Sequence, residues 1–104
     1  MLMPEDKTYT MTTSSGSAAQ SVNGAKGRRL VQVLVNPATS STEYNFTITD
    51  KNSQVIYDQG GWTGKLFDSE NIPEYIYGNF TMNIDSATAD EAFTVILVFL
   101  EEDF

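Results

Sequence analysis

The sequence predicts an all-β fold, an Ig-like or jelly-roll-like sandwich of about seven antiparallel strands, with a small β-barrel as the alternative. Two segments, residues 44–49 and 80–84, alternate apolar and polar side chains with a period of two. This alternation is typical of strands with one face toward a core. Two other segments, residues 30–35 and 93–100, are apolar at both odd and even positions. They are predicted to be central strands that are covered on both faces.

The remaining elements are shorter and are arranged around these four segments. Residues 7–13 alternate weakly, as an edge strand does. Residues 54–58 are expected to form a hairpin with the strand before them through a turn at residues 50–53. A further short strand fits residues 65–68, and one helical turn near residues 68–71 is the most that the pattern allows.

The length of 104 residues favours one β-sandwich domain that spans residues 1–104. A flexible amino-terminal arm is expected at residues 1–6. Residues 14–27 are small and polar, with Val22 as the single branched apolar side chain, and therefore predict a mobile loop. The connection at residues 59–77 differs from an ordinary loop because it concentrates aromatic side chains.

The composition argues against several classes of function. The chain has no cysteine and no histidine, so it cannot form a thiolate metal site or a Ser-His-Asp catalytic triad. Fourteen acidic and six basic residues give a net charge of −8, which disfavours binding to nucleic acid. Residues 93–100 form the longest apolar stretch and are far shorter than the ~20 residues of a membrane helix. The amino terminus has no secretory signal pattern, and we expect a soluble chain with no membrane partner.

Acidic residues are the remaining candidates for catalysis, because paired carboxylates can hydrolyse glycosides without histidine. Asp85, Asp90 and Glu91 lie close together in sequence, and residues 101–103 are all acidic. Turn chemistry and a solvated tail explain both groups. Residues 50–54 begin like a calcium loop but lack its later glycine and glutamate, so a hairpin turn is expected there. The sequence therefore predicts a protein that is not an enzyme, with no catalytic residue, metal site or cofactor.

A basic patch is formed by Lys26, Arg28 and Arg29, which hold half of the six basic side chains. One interpretation is a solvated loop ahead of a buried strand. The other is a contact with an acidic surface of a neighbouring subunit, such as residues 101–103 of another copy, since opposite charges guide association.

Four aromatic side chains in the 59–77 connection are the other candidates for a contact site: Trp62, Phe67, Tyr75 and Tyr77. They can close one end of the sandwich as part of the core. They can also anchor a protein partner, because tryptophan and tyrosine are frequent in interface hot spots. A surface that stacks against sugar rings is the third interpretation.

Five segments are arranged in a recognisable order: residues 30–37, 44–58, 61–65, 78–85 and 93–102. Together they resemble the small β-sandwich virion structural proteins of tailed bacteriophages, and the resemblance spans about residues 8–102. The resemblance implies a capsid decoration (cement) protein, or else a head-to-tail, collar or tail component. It further implies a virion location, assembly in the host cytoplasm, and contacts with a protein such as the major capsid protein. We expect a homo-oligomer, with a trimer favoured. The alternative from another class is a carbohydrate-binding β-sandwich module.

Overall fold

The computed structural model describes residues 3–22, 29–70, 72, 76 and 78–101. These residues form eight strands and no helix. The strands are β1 (Met3–Thr12), β2 (Ala18–Val22), β3 (Arg29–Pro37), β4 (Glu43–Thr49), β5 (Val55–Thr63), β6 (Leu66–Asp68), β7 (Phe80–Asp85) and β8 (Ala92–Glu101). They build two antiparallel four-stranded sheets, the first in the order β1-β8-β3-β6 and the second in the order β2-β7-β4-β5. The predicted all-β sandwich is confirmed.

The two apolar segments occupy the positions that the sequence predicts. β8 lies between β1 and β3, and β3 lies between β8 and β6. A bulge in β3 between Leu30 and Gln32 shifts its register against β8. Alternate residues of both strands face the second sheet, and the side chains of Val33, Val35 and Leu97 are completely buried there.

The core between the sheets contains large aromatic side chains from both layers. Tyr44 of β4 meets Phe93 of β8 edge to face, with ring centroids 5.1 Å apart and planes inclined by 74°. Tyr44 is 1% exposed, and its hydroxyl donates a hydrogen bond of 2.7 Å to the carbonyl of Gly64. The buried phenol therefore has a partner, as a polar group in a core requires.

The amino-terminal part of the chain differs from the sequence prediction. Residues 14–27 were expected to form a loop, but Ala18–Val22 is strand β2, which pairs with β7. A tight turn closed by two hydrogen bonds between Ser14 and Ser17 (2.9 and 3.1 Å) precedes it. Residues 3–6, expected in a flexible arm, belong to β1, while residues 1, 2 and 23–28 lie outside the described part.

The hairpin between β4 and β5 is formed as predicted. Oδ1 of Asp50 accepts hydrogen bonds from the backbone N–H groups of Asn52 (2.8 Å) and Gln54 (2.9 Å). The Asp50 side chain thereby mimics a backbone turn, which explains why a short acidic residue follows this strand. β5 then continues beyond the predicted end at residue 58, as far as Thr63.

Two glycines allow β5 to continue through an irregular stretch. Gly60 and Gly61 lie opposite Asn45, where the register against β4 shifts. The Asn45 side chain accepts a hydrogen bond of 2.6 Å from the Gly61 N–H and donates one of 2.8 Å to Asp85 of β7. One amide group therefore connects three neighbouring strands on the outer surface of the second sheet.

Candidate functional site

The structure describes three of the seven side chains that the sequence predicts as contact residues: Arg29, Trp62 and Phe67. Four lie outside the described residues: Lys26, Arg28, Tyr75 and Tyr77. The three described side chains belong to three different strands, β3, β5 and β6. Arg29 and Phe67 belong to the first sheet, and Trp62 belongs to the second.

Trp62 is half-buried and packs against the core. It lies opposite Tyr44 in the register of β4 and β5. Its indole N–H donates a hydrogen bond of 2.9 Å to the carbonyl of Lys65. Much of the indole therefore makes contacts within the chain, which favours the interpretation that Trp62 closes one end of the sandwich as part of the core.

Phe67 points away from the core. Its neighbours in β6, Leu66 and Asp68, are both buried, and the alternation of a strand therefore directs Phe67 outward. The ring is 56% exposed and pairs with Leu34 of β3. Phe67 thus lies on the outer surface of the first sheet.

This outer surface is apolar over a continuous area, which we call the apolar face. One row crosses the whole sheet from Thr8 through Ile96 and Leu34 to Phe67. The other apolar residues follow along β8, where they alternate with the buried side chains of Val95, Leu97 and Phe99. The apolar face consists of Leu34, Phe67, Ile96, Val98 and Leu100.

The apolar face is the main departure from the sequence prediction that both faces of the central strands are covered. Leu34, Ile96, Val98 and Leu100 are half-buried rather than buried. The second sheet covers only the inward face of these strands, and within the described ranges no further strand or helix lies over the outward face. Apolar surface that one chain leaves uncovered is a common mark of an interaction site.

Polar side chains border the apolar face. Thr8 and Thr10 of β1 lie on one side, and Gln32 and Asn36 of β3 lie on the other. An uncharged apolar centre with a polar border is the arrangement found in protein interfaces. Two charged residues lie at this border, Asp6 on β1 and Arg29 on β3, and both are exposed.

The outer surface of the second sheet has the opposite character. Its rows consist mainly of short polar or charged side chains, with Asn83, Thr47 and Asp58 in one row and Thr81 and Thr49 in another. Val55 lies at the end of the second row and is 58% exposed, but no apolar neighbour in that row extends it into a larger surface. Such side chains are well hydrated without a partner. The two outer surfaces of the sandwich therefore differ in chemistry, and the apolar face is the surface suited to contact with another protein.

Two of the acidic residues that the sequence singled out, Asp90 and Glu91, bind the loops at one end of the sandwich. The Glu91 carboxylate accepts hydrogen bonds from the Thr39 N–H (2.7 Å) and the Thr42 hydroxyl (3.2 Å). The Asp90 carboxylate accepts them from the N–H groups of Ser15 (3.2 Å) and Gly16 (2.9 Å). Both carboxylates bind backbone of neighbouring loops, which agrees with the interpretation of these acids as turn residues.

Two other kinds of site are absent from the described part of the chain. No three acidic side chains there come together as a metal site would require. The same residues contain no helix of the length and apolarity needed to cross a membrane.

No protein-family model matches the chain. No curated protein matches it either. Among solved structures, the chain is similar to a serine protease of Aeromonas sobria, with 7% identity and a TM-score of 0.49 over 98% of this chain and 27% of the protease. It is also similar to PliG of Aeromonas hydrophila, a periplasmic inhibitor of g-type lysozyme, with 14% identity and a TM-score of 0.47 over 96% of this chain and 88% of the inhibitor.

A third similar structure is the virus-like particle of the extra small virus of the giant freshwater prawn Macrobrachium rosenbergii. The identity is 15% and the TM-score 0.39, over 96% of this chain and 81% of the viral chain. The three proteins differ in role, and their TM-scores with this chain are all below 0.5. What the chain does must therefore be inferred from its own residues.

Proposed function

We propose that this chain is a non-enzymatic structural protein of a tailed-phage particle, acting as a homo-oligomeric capsid decoration protein. The observation that carries the proposal is the apolar face of the first sheet, which includes Phe67 at 56% exposure. A surface of this kind needs a protein partner to be removed from water. The proposed partners are other copies of the chain and a neighbouring virion protein such as the major capsid protein, after assembly in the host cytoplasm.

The distribution of polar groups supports assembly rather than catalysis. The carboxylates of Asp90 and Glu91 are engaged by loop hydrogen bonds. A general acid or base needs a carboxyl group that is free to exchange a proton with a substrate. The sequence also has no histidine or cysteine to act as nucleophile or base.

The placement of Trp62 bears on the alternative of a carbohydrate-binding module. A stacking platform presents the open face of an aromatic ring to the sugar. Trp62 is half-buried against the core and its indole N–H is bonded to Lys65. The tryptophan therefore supports the assembly proposal better than the carbohydrate one.

The proposal is tested on purified virions of the phage whose genome encodes the chain. Quantitative mass spectrometry is expected to find the chain in mature particles, at a copy number comparable with that of the major capsid protein. Separation of heads from tails, followed by immunogold labelling, is expected to place it on the capsid. A few copies confined to the tail or neck would identify a tail or collar component instead. Absence of the chain from virions would overturn the proposal.

Saturable binding of oligosaccharides would support the carbohydrate alternative. The measurement is Trp62 fluorescence during titration with a panel of soluble oligosaccharides. Because Trp62 is the single tryptophan of the chain, its emission reports directly on that residue. We expect no saturable change.

A further inference from the structure

We propose that the apolar face binds the same face of a second copy, sheet on sheet, about a two-fold axis parallel to β8. The inference rests on the proposed assembly function and names the surface through which copies first associate. A face that stacks on itself makes an isologous contact, so the pair is a dimer. This dimer replaces the trimer that the sequence favours.

The apolar residues of β8 are arranged for such a contact. Ile96, Val98 and Leu100 follow one another at alternate positions on the outward side of the central strand. An axis along β8 places each of them over its own equivalent in the second copy. Two sheets packed face to face lie about 10 Å apart, the distance at which such side chains meet.

The two charged residues at the border also become complementary under this symmetry. Asp6 pairs with Val98 on one side of β8, and Arg29 pairs with Leu100 on the other side. Within one copy, strand β8 separates them by two strand spacings, about 10 Å. In the described part of the chain neither side chain is in an ion pair.

The two-fold axis places the β1 side of the face in one copy over the β3 side of the face in the other. Asp6 of one copy then lies over the border that carries Arg29 in the other, and the same contact occurs twice. The two residues remain offset along the strand by two positions, about 7 Å. The combined lengths of an aspartate and an arginine side chain span this offset, so both charges gain a partner of opposite sign.

The area of the face sets the expected strength of the contact. An axis along β8 overlaps three strands of each copy, β1, β8 and β3, over a width of about 14 Å, and leaves β6 with Phe67 at the rim. The seven residues from Thr94 to Leu100 are about 23 Å long, which gives about 330 Å² per copy. Two copies together bury about 660 Å², which is below the roughly 1,000 Å² of stable specific interfaces and in the range of weak, transient ones. We therefore expect a dimer that depends on concentration and that further contacts on a particle strengthen.

The β1 edge of the first sheet is less suited to self-association than the apolar face. The outer edge strand β1 carries Glu5, Asp6 and Lys7 in succession, with an ion pair of 2.6 Å between Lys7 and Glu5. Pro4 precedes them and has no backbone N–H to donate. Charged residues and proline are the devices by which edge strands avoid pairing with other strands. The geometry therefore favours association through the face rather than through the edge.

Sedimentation velocity and light scattering over a concentration series test the proposal with the full chain. The wild type is expected to change from monomer to dimer as the concentration rises. Val98→Lys places a charge in the centre of the face and is expected to weaken the dimer at least tenfold. Thr47→Lys is the matched control, because Thr47 is also half-buried on the outer surface of a central strand. It is expected to dimerise like the wild type, and circular dichroism confirms that both variants are folded.

A charge exchange tests the symmetry without disturbing the apolar centre. Asp6→Arg and Arg29→Asp are each expected to weaken the dimer, and the double variant is expected to restore it. Asp6→Arg makes the chain less negative, so general repulsion between copies falls. A weaker dimer in that variant therefore reports the local pair and not the net charge.

Three outcomes would overturn the inference: a wild type that stays monomeric up to about 1 mM, a Val98→Lys variant that dimerises normally, or a double variant that is no better than the single ones. These outcomes are distinct from failure of the proposed function. If the chain is found on virions but its Val98→Lys variant still dimerises, the proposed structural role stands and only the proposed interface is wrong. A chain that dimerises through the face but is absent from virions loses the virion role alone.

Discussion

The hydroxyl of Tyr57 donates a hydrogen bond of 2.8 Å to Oδ2 of Asp68 and connects β5 of the second sheet to β6 of the first. Both residues are buried. The other carboxylate oxygen of Asp68 accepts a hydrogen bond of 2.9 Å from the Glu70 N–H. A buried carboxylate is costly unless its oxygens are hydrogen-bonded, so Tyr57 is one of the groups that allow Asp68 to lie inside the sandwich.

Removal of the Tyr57 hydroxyl is expected to destabilise the fold. Tyr57→Phe leaves Oδ2 of Asp68 without this donor, and we expect the free energy of unfolding to fall by about 1–3 kcal/mol in urea denaturation. Tyr9→Phe is the control, because Tyr9 packs at the edge of the core and its hydroxyl has no hydrogen bond in the described part of the chain. Equal losses in both variants would show that the bond to Asp68 contributes nothing.

Stability is expected to fall in alkaline solution. Burial raises the pKa of Tyr44 and Tyr57 above the usual value of 10.0, and the hydrogen bond to Asp68 raises the pKa of Tyr57 further. Below pH 10 both phenols are protonated in the folded and the unfolded chain, so their contribution is fully present. Above that pH the unfolded chain releases protons that the folded chain retains. The free energy of unfolding then falls by up to about 1.4 kcal/mol per pH unit for each tyrosine.

Urea denaturation between about pH 9 and pH 11.5 measures this fall, with phenolate absorbance recorded in the same samples. Tyr44 and Tyr57 are expected to ionise only as the chain unfolds. In Tyr57→Phe the dependence on pH is expected to be shallower than in the wild type. A denaturation midpoint that does not change with pH would contradict the assignment.

Two glycines allow a matched test of backbone strain and close packing. Gly64 has a φ of +76°, and a Cβ atom there would lie 2.6 Å from the carbonyl oxygen of Ser40. Gly61 has a φ of +63°, and a Cβ atom there would meet nothing within 4 Å. Gly61→Ala is expected to cost about 1 kcal/mol, which is the left-handed backbone penalty. Gly64→Ala is expected to cost at least about 2 kcal/mol more, because the overlap adds to the same penalty.

Thermal unfolding of the two glycine variants gives the comparison. The difference between them isolates the contact with Ser40, since both carry similar strain in φ. A similar loss in both would mean that the loop containing Ser40 moves aside at little cost.

The Glu91 carboxylate is expected to stabilise the loops that it joins. Glu91→Ala removes the acceptors of the Thr39 N–H and the Thr42 hydroxyl, and Thr42 is buried. We expect the free energy of unfolding to fall by about 1–3 kcal/mol, as for hydrogen bonds to a charged group. Asp58→Ala is the control, because Asp58 is exposed and makes no side-chain hydrogen bond in the described residues. A loss no larger than that of Asp58→Ala would contradict the role of Glu91.

Most strands were predictable because their side chains face a core with a period of two. This signal is strong in β4 and β7, and the double-sided apolar runs correctly predicted the central strands β3 and β8. β2 was missed because Ala18–Val22 is small and polar, and its place in the sheet depends on backbone pairing with β7. The extension of β5 was missed because Gly60 and Gly61 resemble a loop in sequence.

The candidate site was predictable only in part. Phe67 was singled out from its aromatic ring, but its partners Leu34 and Ile96 were assigned to the core. Periodicity cannot distinguish a face covered by the same chain from a face left for another molecule. Only the arrangement of the sheets shows that the second layer covers one side of β8. Arg29 and Asp6 were likewise far apart in sequence, and it is the register that places them on either side of β8.

The position of β8 determines when the sandwich can form. β1 pairs residue by residue with β8, from Met3 with Glu101 to Thr12 with Ala92, and β3 pairs with the other side of β8. During synthesis, the first sheet can therefore close only after residues 92–101 have left the ribosome. Long-range pairings of this kind slow folding, because the loop must be closed before any contact is gained. The first sheet is thus expected to close only once β8 is available, with its apolar strands exposed to chaperones in the interval.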